Sequence, residues 1–105
     1  MFDKRPLSLY VQLMIRSFRN KALEKLYESG SGKSLPPEFV GKIRRVLLAL
    51  DEANSPDDLS QPGFGLHQLS GNLRGHWSIV ITRNWRITFR FVGQDVSDVD
   101  FVDYH

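Results

Sequence analysis

The chain has 105 residues, 41% of them hydrophobic and 25% charged, which fits one globular domain too small for a large internal cavity. It has no cysteine, which excludes disulfides, thiolate catalysis and cysteine-ligated zinc; no apolar run approaches the ~20 residues of a membrane span and MFDKRPLSLYVQL lacks a signal-peptide core, so the expected location is the cytoplasm. The net charge of +2 hides an asymmetry: residues 51–105 are acidic, with four bases against eight acids, yet all four bases (Arg74, Arg83, Arg86 and Arg90) lie in an acid-free window from Leu59 to Gln94, together with His67 and His76.

Residues 1–13 read as an appendage interrupted by Pro6, and the clear pattern starts near Met14. Ile15 to Phe18 is a candidate short first strand. Asn20 to Ser29 predicts a helix, with Phe18, Ala22 and Leu26 on one stripe, Leu23 and Tyr27 beside it, and Gly30 placed to end it. The loop that follows ends in GSGKS, but a full phosphate-binding loop would need glycine where Tyr27 stands and a strand before it. Pro36-Pro37 opens a longer helix on which Val40, Ile43, Leu47 and Leu50 face one way; it ends before Asn54-Ser55-Pro56.

From Leu66 the period changes to two. Trp77, Ile79 and Ile81 alternate with His76, Ser78, Val80 and Thr82; Arg83-Asn84 reverses the chain; Trp85, Ile87, Phe89 and Phe91 alternate with Arg86, Thr88 and Arg90. Gly93-Gln94 makes a second reversal before a last strand marked by Val99 and Phe101. The result is an antiparallel meander with one buried face, which the two amphipathic helices must cover. The expected class is α+β, two N-terminal helices packed on a small twisted antiparallel sheet in the order β-α-α-β-β-β. Trp77 and Trp85 belong to the core in this reading, and His76 is an exposed strand residue. If Trp85, Ile87 and Phe89 point inward, then Arg86, Thr88 and Arg90 line an open opposite face as a candidate phosphate track.

Several motifs in order carry a family resemblance. Met14-Ile15-Arg16-Ser17-Phe18, Leu66-His67-Gln68-Leu69-Ser70-Gly71, Gly75-His76-Trp77-Ser78-Ile79, Asn84-Trp85-Arg86-Ile87-Thr88-Phe89 and the ending Val99-Asp100-Phe101-Val102-Asp103-Tyr104-His105 resemble segments of HigB-type toxins, plasmid-maintenance killer proteins of the RelE/ParE superfamily. The match spans residues 14–105, the expected toxin domain, and leaves residues 1–13 outside as an extension. The resemblance implies two helices on a twisted antiparallel sheet and a toxin of a type II toxin–antitoxin system that cleaves messenger RNA in the ribosomal decoding site. It implies a helix-turn-helix antitoxin of the HigA kind, which blocks the toxin and represses the shared operon, so that operator DNA is reached indirectly. By the same resemblance His67, Arg86, Asp103, Tyr104 and His105 are the candidate catalytic residues. Ser70 stands where the family usually has a phosphate-contacting lysine, and Gln68 where it has proline. Arg74, Arg83, Arg90 and Ser70 are the candidate RNA contacts.

The chemistry fits these residue types. Metal-independent RNA cleavage through the 2′-hydroxyl needs a base, an acid and a cation on the phosphate. Histidine titrates near working pH, and a guanidinium forks onto phosphate oxygens. No metal site and no cofactor are expected, since three histidines lack ligand spacing. Two alternatives stay open: a ParE-like gyrase poison on the same fold, and a homologue that binds antitoxin or RNA without cutting.

Overall fold

The computed structural model describes residues 15–103. Two helices, α1 (Lys21–Ser29) and α2 (Pro37–Glu52), precede four strands: β1 (His67–Gln68), β2 (His76–Val80), β3 (Trp85–Val92) and β4 (Asp95–Asp103). The strands form one sheet in the order β1-β2-β3-β4 with every pairing antiparallel. This is the expected α+β architecture.

Local chemistry explains the helices. Asn20 caps α1, its side-chain oxygen accepting from Leu23 N–H at 2.9 Å, a contribution of about 1 kcal/mol. Gly30 ends the helix in the left-handed region, φ 79°, and its N–H bonds back to the Leu26 carbonyl. Helix α2 starts at Pro37, whose fixed φ suits a first helical position. It buries Ile43, Val46, Leu47 and Leu50, one stripe at helical spacing. Val40, expected on that stripe, is half-buried.

These stripes meet Ile79, Ile87, Phe89, Val96 and Val99 on one face of the sheet, all fully buried. Trp77 and Trp85 pack against this core half-buried, and Trp85 stacks on Phe101 at 4.7 Å between ring centres. Both reversals fall where expected, at residues 81–84 and at Gly93.

Two features depart from the sequence pattern. The expected first strand is reduced to two parallel bridges on the free edge of β4, Ile15 to Val96 and Phe18 to Val99. Among the described residues of this segment, Arg16 and Arg19 N–H donate to β4, while Val99 N–H donates to the Ser17 carbonyl. The second is a bulge in β4. Thr88 pairs with Asp100 but Arg90 pairs with Ser97, so two steps on β3 face three on β4. Asp98 takes up the extra residue at φ 56°. The bulge lets Val96 and Val99, three positions apart, both point into the core.

Candidate active site

Register organises the sheet face turned away from the helices into three rows. Leu69, His76, Arg90 and Ser97 form one; His67, Ser78, Thr88 and Asp100 the middle one; Val80, Arg86 and Val102 the third. The expected open track does not exist in that form. Thr88 is only 4% exposed and Ser78 not at all, while Arg86 and Arg90 are half-buried.

His67 and Arg86 sit on this same face. They lie two strands and one row apart, about 12 Å between Cα atoms for an ordinary strand lattice. His67 lies exposed on the edge strand β1, and Arg86 comes from the central β3 beside the hairpin turn. Arg83, in that turn, is exposed and lies at the Arg86 end of the face.

Arg90 is paired with an acid. Its Nε donates to Asp98 at 2.6 Å, and Asp98 also accepts weakly from Ser17 Oγ, while Asp98 N–H donates to Ser17 Oγ at 2.8 Å. The hydrogen bond from Arg90 holds the Asp98 carboxyl below its ordinary range. Arg90 is therefore committed to an acid and is not an uncompensated cation awaiting RNA. The acid-free window was a property of the chain order: pairing of β3 with β4 lays Asp98 and Asp100 against it.

Asp103 ends β4 opposite Trp85, so the chain leaves the sheet one residue from Arg86. The pleat nevertheless starts Asp103 on Trp85's side, the face opposite to Arg86. Asp103 is exposed. Tyr104 and His105 lie outside the described residues, as do Met14 and the 1–13 extension. Ser70 and Arg74 are exposed in the connection from β1 to β2, around the short 3₁₀ turn Gly71–Leu73. That connection adjoins the row of His76 and Arg90, the end of the face away from Arg86.

His76, expected to be exposed, is half-buried with both ring nitrogens sealed from solvent and without a hydrogen-bond partner among the described residues. Ser78 Oγ is likewise buried and unpartnered. An unsatisfied buried hydroxyl costs about 1–3 kcal/mol. Ser78 and Asp98 were not singled out in the sequence reading. The signal for Asp98 was present: Val96 and Val99 three apart break the period of two and mark a bulge. Ser78 shares the parity of Thr88, but nothing in the sequence says that its side chain is sealed. Among the described residues no group of three or more His, Asp or Glu side chains is placed to hold a metal ion.

Comparison with known proteins supplies an independent frame. Residues 16–105 match a family model described as the RelE-like toxin of type II toxin–antitoxin system HigB. Over 92 residues, 88% of this chain and all of the relative, the sequence is 39% identical to Endoribonuclease HigB of Proteus vulgaris. It is 35% identical to Toxin HigB-1 of Vibrio cholerae serotype O1 over 75% of this chain and 85% of the relative. Among solved structures, the YoeB-YefM complex from Staphylococcus aureus aligns with TM-score 0.59 at 20% identity, covering 89% of this chain and 97% of that one. The YoeB dimer from Staphylococcus aureus aligns with TM-score 0.58 at 17% identity, covering 90% and 98%. The solved structures share this fold.

Proposed function

We propose that this chain, which belongs to the HigB-like family of RelE-like toxins from type II toxin–antitoxin systems, is an endoribonuclease that cleaves messenger RNA on the ribosome. The observation that supports the reading is the shared face of His67 and Arg86, with the end of β4 arriving beside Arg86. The name of the Proteus vulgaris relative, Endoribonuclease HigB, supports the reaction class.

In this reading Arg86 holds the scissile phosphate, and its fork neutralises the charge that grows on the oxygens. One imidazole takes the 2′-hydroxyl proton as O2′ bonds to phosphorus. The bond from phosphorus to O5′ breaks, and a second acid donates a proton to O5′, leaving a 2′,3′-cyclic phosphate and a free 5′-hydroxyl. His67 and His105 share these transfers, Asp103 assists, and Tyr104 stacks on a base or bonds the phosphate. Arg83 stands as an RNA contact at the Arg86 end, Arg74 and Ser70 at the other. Arg90 contributes through its position beside Asp98 and not as a phosphate clamp.

The toxin domain is residues 14–105, with residues 1–13 as an extension, and the working location is the cytoplasm. Among the described residues no helix is long and apolar enough to cross a membrane. The natural partner is an antitoxin, of the helix-turn-helix HigA kind. The family assignment supports this, as does the fold shared with a YoeB-YefM complex.

Expression of the wild type beside His67→Ala, Arg86→Ala and His105→Ala, with message ends mapped by primer extension, tests the proposal. Cuts phased with codons inside translated regions are expected, reduced at least ~10²-fold in each variant. Gyrase-linked DNA breaks in place of cut messages, or growth arrest unchanged by all three substitutions, overturn it.

A further inference from the structure

The proposed chemistry needs a defined His67: one ring nitrogen toward the phosphate, the other held. A histidine's tautomer is set by the hydrogen bond its second nitrogen makes, most often to a carboxylate or carbonyl. No carboxylate is available for that role on this face among the described residues. Asp98 is bonded to Arg90 and Ser17, and Asp100, three strands from His67, accepts from Phe101 N–H at 2.9 Å. The group directly across from His67 is Ser78. Its residue exposure is zero, and its Oγ has no hydrogen-bond partner among the described residues. Buried side-chain polar atoms in native proteins mostly have one, so this hydroxyl calls for an explanation.

Resting on the assignment of His67 above, we propose that Ser78 is the positioning residue for His67: its Oγ accepts the Nδ1–H of the imidazole and leaves Nε2 facing the scissile phosphate. Directly opposed strand residues hold their Cβ atoms about 4.5–5.5 Å apart, so a rotation of the exposed His67 side chain brings its ring to the hydroxyl. The short reach selects Nδ1, the nitrogen nearer the backbone. His76, whose nitrogens also lack partners among the described residues, stands directly opposite Leu69 and Arg90, one row from His67. Without the ring in place the hydroxyl is a sealed, unsatisfied group that weakens the fold.

The distinguishing experiment combines three readouts on the full chain. Nitrogen-15 NMR of the histidine ring is expected to show His67 mainly as the Nδ1–H tautomer. In Ser78→Ala it should revert to the Nε2–H form that a free histidine side chain prefers. Message cleavage by Ser78→Ala should fall about tenfold to a hundredfold, the scale of a misplaced catalytic group. Its melting temperature should change little, because the buried hydroxyl leaves together with its hydrogen bond and the exposed imidazole N–H turns to water. A wild-type His67 that is mainly Nε2–H overturns the proposal without any variant, so a Ser78→Ala chain that fails to fold does not protect it. Full cleavage by Ser78→Ala while His67→Ala is inactive overturns it too, as does a drop in melting temperature that accounts for the lost activity. Cleavage that survives His67→Ala instead removes the catalytic assignment, and the tautomer in the wild type still decides whether the hydrogen bond exists.

Discussion

Asp98 concentrates one cost and one gain, and a series of substitutions separates them. Its backbone stands at φ 56°, which costs a residue with a Cβ roughly 1–2 kcal/mol, less for Asp and Asn, whose side chains tolerate the left-handed region. Its carboxylate pairs with Arg90 at 2.6 Å, with side-chain exposures of 31% and 43%, so solvent screening leaves the pair about 0.5 kcal/mol. Asp98→Asn keeps the backbone tolerance and loses the charge, an expected loss of about 0.5 kcal/mol. Asp98→Ala loses the pair and places an alanine in the strained conformation, about 1–2 kcal/mol. Asp98→Gly loses the pair but eases the backbone, and should stay within roughly 0.5 kcal/mol of the wild type. For a domain of this size 1 kcal/mol moves the melting temperature by about 4–8 °C, so thermal melts resolve the order. The pH dependence follows from the lowered carboxyl: its stabilisation is present above the ordinary carboxylate value of about 4 and is lost as pH falls through the depressed folded value. The gap between wild type and Asp98→Asn should therefore stand at neutral pH and close in acid. An Asp98→Ala chain as stable as Asp98→Asn refutes the backbone argument, and a gap that widens in acid refutes the ion pair. Asp98→Asn also releases Arg90, so binding to single-stranded RNA should steepen by about 0.7 in log K against log salt if the guanidinium then reaches a phosphate.

Two further outcomes test the packing. Tyr27 donates to Asp51 at 2.6 Å, and burial with that bond raises its phenol above the ordinary range; stability from it is present below pH ~10 and lost only at stronger alkali, so an absorbance titration should find one of the three tyrosines failing to ionise with the chain folded. Tyr27→Phe should cost about 1 kcal/mol in a denaturant melt and abolish that late step. At Gly65, φ +54°, an added Cβ would sit 2.8 Å from Val80 Cγ2, so Gly65→Ala should destabilise by about 1–3 kcal/mol, and Val80→Ala should recover part of the loss; additivity of the two would show that the clash is not the cause.

Much of the fold was written locally. Asn20 and Gly30 bound a helix by their own capping chemistry, Pro37 opens the next, and the alternation from Trp77 to Phe91 separates the buried from the outer face of β2 and β3. The family motifs pointed to His67 and Arg86, and the register sets these two on one face. What local pattern could not supply was burial on the outer face. Thr88 and Ser78 look like ordinary outward strand residues, and His76 like an exposed one, because alternation tells which side a residue takes and not what closes over it.

The amino-acid order by itself determined the two helices, the meander and the residue types at the site, because caps, turns and periodicity act between neighbours a few positions apart. Only the tertiary structure decided which charges meet. Arg90 lay in a stretch without acids, yet the β4 bulge sets Asp98 on its guanidinium, and the pleat starts Asp103 on the face away from Arg86. The physical reason is that electrostatic partners are chosen by distance through space, and strand pairing with a single added residue resets those distances across the whole sheet.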